Sequence, residues 1–150
     1  MTAIKTPAAD APAEECGRLA VSLPGWRWVR GMHDADARTF IEYADCGEAQ
    51  WLWAADDGCE HLPVEGRLPD PDDPATAGCL LALLSADGRP VSATRMTPLS
   101  VTVWRHGLGT HTAPTLGRAC IAAAAALGRW PGGEGERRVN KELNGGQNPV

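Results

Sequence analysis

The sequence holds a single phenylalanine and a single tyrosine in 150 residues, set against six tryptophans. It has no acidic residue between 88 and 130, no apolar run of membrane-spanning length, and no short signature of a catalytic or phosphate-binding loop. Each absence removes a class of function. The apolar run at 121–127 is far shorter than the about 20 residues that cross a bilayer, so no membrane partner is expected. Met1 to Lys5 leads into Pro, Ala and Asp without an apolar stretch, so no secretory leader is expected. Five cysteines at irregular spacing, two of them (Cys79 and Cys120) in expected helices, read as reduced thiols rather than a disulfide framework. Without a Gly-x-Ser-x-Gly elbow or a P-loop, no catalytic residue, metal ligand or cofactor is assigned.

Charge is distributed unevenly. Residues 1–87 hold sixteen acidic and six basic residues, residues 88–130 hold five arginines and no acid, and residues 131–150 are neutral overall. Such a split suits an anionic partner, two halves that face each other, or identical subunits that pair acid on base. A homodimer therefore stays open.

The length suits one domain. The reading is a flexible arm over 1–15, a single domain over 16–131 and a disordered tail over 132–150. The strongest local signal is Asp73-Pro74 followed by an apolar run to Leu84. Asp73 can cap the free N–H groups of a first turn, and Pro74 suits the first helical position. This segment is expected to be the most deeply buried helix, with Gly88 closing it. Residues 38–44 and 50–54 read as a strand pair and 59–73 as a long acidic loop. Residues 91–95 and 99–105 read as a second strand pair, with Leu99, Val101 and Val103 on one face and Ser100, Thr102 and Trp104 on the other. A second helix is expected to start at Pro114, after Thr112 or Ala113, and to end at Gly128, with Trp130 as an anchor. The expected fold is α+β: an antiparallel sheet with two helices in a ββα-ββα pseudo-repeat, with Gly78 and Gly117 admitting a close backbone.

The segments Leu-Pro-Gly-Trp-Arg-Trp-Val-Arg-Gly-Met at 23–32, Leu-Pro-Asp at 68–70 and Asp-Pro-Ala-Thr-Ala-Gly-Cys-Leu-Leu-Ala-Leu-Leu at 73–84, with the Ala-rich helix, resemble a group of small bacteriophage and prophage proteins that carry the phage ABA-sandwich domain. The resemblance spans about residues 23–130. It implies no catalytic residues. It implies a phage accessory protein in the cytoplasm of a bacterial host, acting by binding host or defence components.

Two sets of residues are candidates for a binding site. Trp26, Arg27 and Trp28, Trp51 and Trp53, and the acidic Asp70 and Asp72 form a partner-binding set, because Trp and Arg dominate protein-binding hot spots. Arg105, His106, Gly107, Gly109, Thr110, His111 and Arg118 form an anion-binding set, because a Gly-rich loop ahead of a helix N-terminus attracts phosphate. The close pairs Cys59/His61 and His106/His111 lack the combined spacing of a zinc site and read as unpaired surface residues. The expected function is non-enzymatic binding of a host or host-defence protein. The alternatives are a nucleotide or nucleic-acid binder using residues 89–118, and a small hydrolase or transferase built on Cys46 or Cys59 with His61.

Overall fold

Asp73 caps a helix as its chemistry requires: its carboxylate accepts from the Thr76 backbone N–H at 2.8 Å, and Pro74 takes the first helical position. The computed structural model describes residues 7–8, 10–36, 39–43, 50–55, 58–61 and 66–132, with backbone placement only for 40–43, 50–55 and 58–61. In chain order the elements are α1 (Ala13–Ser22), β1 (Thr39–Tyr43), β2 (Gln50–Ala55), β3 (Gly58–His61), α2 (Pro74–Leu84), β4 (Val91–Thr97), β5 (Ser100–Arg105), β6 (Gly109–Ala113) and α3 (Leu116–Leu127). They form two antiparallel three-stranded sheets, β1-β2-β3 and β4-β5-β6. The fold is α+β.

Several elements differ from the sequence expectation. Each pair of strands has gained a third: Gly58–His61 pairs with β2 where a loop was expected, and Gly109–Ala113 pairs with β5 where a Gly-rich loop was expected. Thr110, His111 and Thr112 alternate polar and β-branched residues, a strand pattern that the flanking glycines obscured. Because 109–113 is a strand, α3 starts later than Pro114. Its cap is Thr115, which accepts from the Arg118 N–H at 3.4 Å. The expected arm over 1–15 also gives way to structure early: Ala11 is buried and Glu14 and Glu15 fill the first turn of α1. Residues 26–29 are irregular backbone.

The most enclosed helix is α3, not α2. Residues Ala119 to Ala125 of α3 are buried without a break, whereas Ala75, Gly78 and Ala82 of α2 face solvent. The cause is placement: α3 packs against α1, α2, β5 and β6 together. Its alanines have little side chain to hold neighbours away, so every face can be covered. Val103 of β5 meets this layer, and Leu80, Leu83 and Leu84 of α2 complete it. Trp130, buried just past the Gly128 cap (φ 86°), donates from Nε1 to the Ala20 carbonyl at 2.9 Å and from its backbone to Pro24 at 2.8 Å. It anchors the end of α3 to α1, as its position after the cap suggests.

The approach to α2 runs between the other two helices. A Cβ built on Gly117 of α3 would lie 1.9 Å from the Pro71 carbonyl oxygen, and one on Gly17 of α1 would lie 2.8 Å from that of Pro69. Gly78, by contrast, has nothing within 4 Å of the Cβ position. Gly117→Ala is therefore expected to cost at least about 3 kcal/mol, since backbone must move. Gly78→Ala is expected to be neutral or to stabilise by up to about 1 kcal/mol through helix propensity. Thermal melts of the two variants check this pair.

Candidate functional site

The structure separates the anion-binding set. The segment after β5 is a hairpin turn into β6, not the start of a helix, so the loop's N–H groups are not backed by a helix dipole. Arg105 is only 2% exposed. Its Nε donates to the Leu84 carbonyl at the C-terminus of α2 at 3.2 Å, and its guanidinium pairs with Asp87. Arg118 donates from Nε to Asp72 Oδ1 at 2.8 Å and from NH2 to Oδ2 at 3.0 Å, a two-pronged clamp. Its NH1 also donates to the Ala11 carbonyl. Burial pushes the His111 imidazole below its ordinary value, and its Nε2 is buried without a partner among the described residues, so at neutral pH it brings no positive charge. His106, Gly107, Gly109 and Thr110 lie exposed around the turn. The two arginines that would have bound an anion instead join elements of the fold.

Asp72 is likewise structural. Its carboxyl is held below the usual range, first by the Arg118 hydrogen bond, against some burial, with help from the Thr115 hydroxyl at 2.9 Å. Asp70 accepts from the Asp72 N–H and shapes the turn. Asp73 is also lowered: burial opposes this, but the His33 Nδ1 contact at 2.8 Å and the two Thr76 bonds outweigh it.

Trp26, Arg27 and Trp28 are brought together. They line one side of an open depression of about 430 Å³ whose other side is Gly66, Arg67, Leu68 and Val21. The Trp26 ring stands edge-on to Trp28 at 5.7 Å and to the buried Trp130 at 5.8 Å. Both half-buried rings thus lean on the core. Arg27 donates to the carbonyls of Gly25 (3.0 Å) and Pro131 (3.2 Å). Trp51 and Trp53 lie on β2, and their side chains, like those of Cys46, Cys59 and His61, fall outside the described residues. Among the described residues no cluster of three metal-ligating side chains occurs.

A second surface was not singled out in the sequence. The large apolar side chains most exposed among the described residues are Met96 (62%), Leu99 (81%) and Trp104 (38%), all on the β4–β5 hairpin. Leu99 was expected beside Val101 on the buried face. It instead occupies the two-residue turn with Pro98, so the alternation of β5 starts one residue later, at Ser100. The turn is braced. The Leu99 N–H donates to Thr97 Oγ1 at 3.1 Å, the Thr97 and Ser100 hydroxyls meet at 3.0 Å, and Arg95 donates to the Pro98 carbonyl at 3.3 Å. The outer face behind it is hydroxylic. Thr94, Thr102 and Thr112 are in register across the sheet, as are Ser92, Trp104 and Thr110. Thr97-Pro98 with a hydroxyl at position 100 was the available signal for a tight, exposed turn.

Comparison with family models, with curated proteins and with solved structures gave no match to the chain. Among the described residues no helix is long and apolar enough to cross a membrane.

Two outcomes follow from these pairings. Arg105→Ala removes the buried guanidinium from the Leu84 carbonyl and from Asp87, which keeps only its contacts with Arg89, and is expected to cost about 3 kcal/mol, read by urea unfolding. For Asp72 and Asp73 the folded value is depressed. Their contribution is therefore complete above the unfolded carboxylate value of about 4 and is lost as pH falls through the folded value. An acid titration of stability should accordingly show a limb below about pH 4 that shrinks in Asp72→Asn.

Proposed function

We propose that this chain is a non-enzymatic binding protein that engages a protein partner through the β4–β5 hairpin. The observation that carries this reading is the gathering of Met96, Leu99 and Trp104 on one hairpin whose turn is held by three side-chain hydrogen bonds. Exposed apolar side chains scattered singly need no account, but a group of them on one element marks an interaction surface. A turn already fixed loses little conformational freedom when a partner covers it. The core does not need these residues, since β5 buries Val101 and Val103 from its opposite face.

The Trp26–Arg27–Trp28 depression is a second contact region on this reading, its rings half-buried and its guanidinium held in place. The resemblance of residues 23–32 and 73–84 to phage ABA-sandwich proteins supports the biological setting: a phage accessory protein that binds a host or host-defence protein in the bacterial cytoplasm.

The test is a paired pull-down from bacterial cells expressing the wild-type chain or the Met96→Ser/Leu99→Asp double variant. Both substitutions fall on exposed side chains, so the variant should melt within a few degrees of wild type. The expected outcome is a specific partner retained by the wild type and lost, by at least about tenfold, from the folded variant. Equal recovery by both proteins would remove the hairpin from the interface.

A further inference from the structure

Resting on the hairpin reading above, we propose that the free edge of β4 accepts an extended acidic segment of the partner protein as a fourth strand of the β4-β5-β6 sheet. Among the described residues, strand order places β4 at the edge, paired with β5 alone. Among them no helix packs against it as α3 packs against β5 and β6, and every side chain from Ser92 to Thr97 is exposed. One side of an edge strand presents unpaired N–H and C=O groups, which template strand addition. Nothing in Val-Ser-Ala-Thr-Arg blocks this with proline. The bulge between Arg95 and Thr97 ends the regular ladder, so an added strand runs along 91–95. Its end then meets Met96 and the turn carrying Leu99, which together can seat an apolar side chain.

Charge selects the occupant. Residues 88–113 contain no carboxylate. Asp87 is committed to the buried Arg105, and Arg89 approaches it only at 3.9 Å with a largely exposed side chain. Among the described residues Arg95 reaches the Pro98 carbonyl and no carboxylate. An exposed arginine thus stands just before the 91–95 edge, Arg89, and another at its end, Arg95. Acidic side chains on an incoming strand would add partners for these exposed guanidiniums. A second copy of β4 would instead bring four guanidiniums to one seam, which disfavours self-pairing.

Three synthetic ten-residue peptides test this: alternating Val and Glu, alternating Val and Lys, and the Val/Glu peptide N-methylated at alternate amides. Affinity and amide hydrogen exchange along 91–95 are read by NMR. The Val/Glu peptide should bind and slow exchange of β4 amides that are unprotected in the free chain. The Val/Lys peptide should bind at least about tenfold more weakly, and the N-methylated peptide should not bind. Arg89→Glu/Arg95→Glu should reverse the charge preference. Equal binding of the N-methylated peptide would overturn strand addition, and indifference to peptide charge would overturn the acidic assignment. Protection of β4 by a single-stranded thymidine oligonucleotide but by no peptide would assign the edge to nucleic acid. Protection that appears with rising concentration of the chain alone would assign it to a second copy. If no peptide binds while Met96→Ser/Leu99→Asp still loses the partner, strand addition fails and the hairpin reading survives.

Discussion

The close passage of residues 69–72 between two helices is the constraint on which the rest depends. Backbone can lie against a helix only where the helix has no side chain, and Gly17 and Gly117 supply that gap on α1 and α3. Pro69 and Pro71 are the buried residues of the passage. Proline suits this place because it brings no N–H that burial would leave without a partner. The passage ends at Asp72, gripped by Arg118 of α3, and Asp73, which caps α2 and contacts His33. One short segment thus sets the spacing of all three helices and the start of α2.

That constraint explains which parts of the fold could be read from the chain. The α2 cap was legible because it is local: Asp73, Pro74 and Thr76 sit within one turn. Gly117 was legible as a site of close approach because a glycine inside an apolar helix needs a packing reason. Gly78 looked alike in sequence and has no such neighbour. Only the path of residues 69–71 tells the two apart, and that path is set by long-range contacts. The third strand of each sheet was missed for a similar reason, since Gly58–His61 and Gly109–Ala113 are short, begin with glycine, and are held in place by their partners. The depth of α3 was underrated because alanine carries little hydrophobic signal per residue, although an alanine helix admits neighbours on every side.

Of the candidate residues, Trp26 and Trp28 lie close by their nearness in sequence, and the structure sets them with Arg67 and Leu68 around one depression. The arginines of the basic half were harder to read. Arg105 and Arg118 are charged side chains on buried elements, and a sequence does not show which carboxylate a buried guanidinium will find. Here Arg118 crosses to Asp72 and Arg105 to Asp87, so the acidic and basic halves meet inside the fold.

This internal pairing also limits where exposed positive charge remains. Five arginines without a carboxylate in 88–130 would form a broad basic face if all were exposed. Two are consumed by the fold, and the exposed Arg89 and Arg95 bracket β4. The same hairpin carries Met96 and Leu99, the two most exposed large apolar side chains among the described residues. A sheet edge, a pair of cations and an apolar turn therefore coincide on one hairpin, away from the buried Val101 and Val103 of β5. Such a surface favours a partner able to meet all three at once, and an extended peptide does so more readily than a compact anion, which could satisfy only the charge.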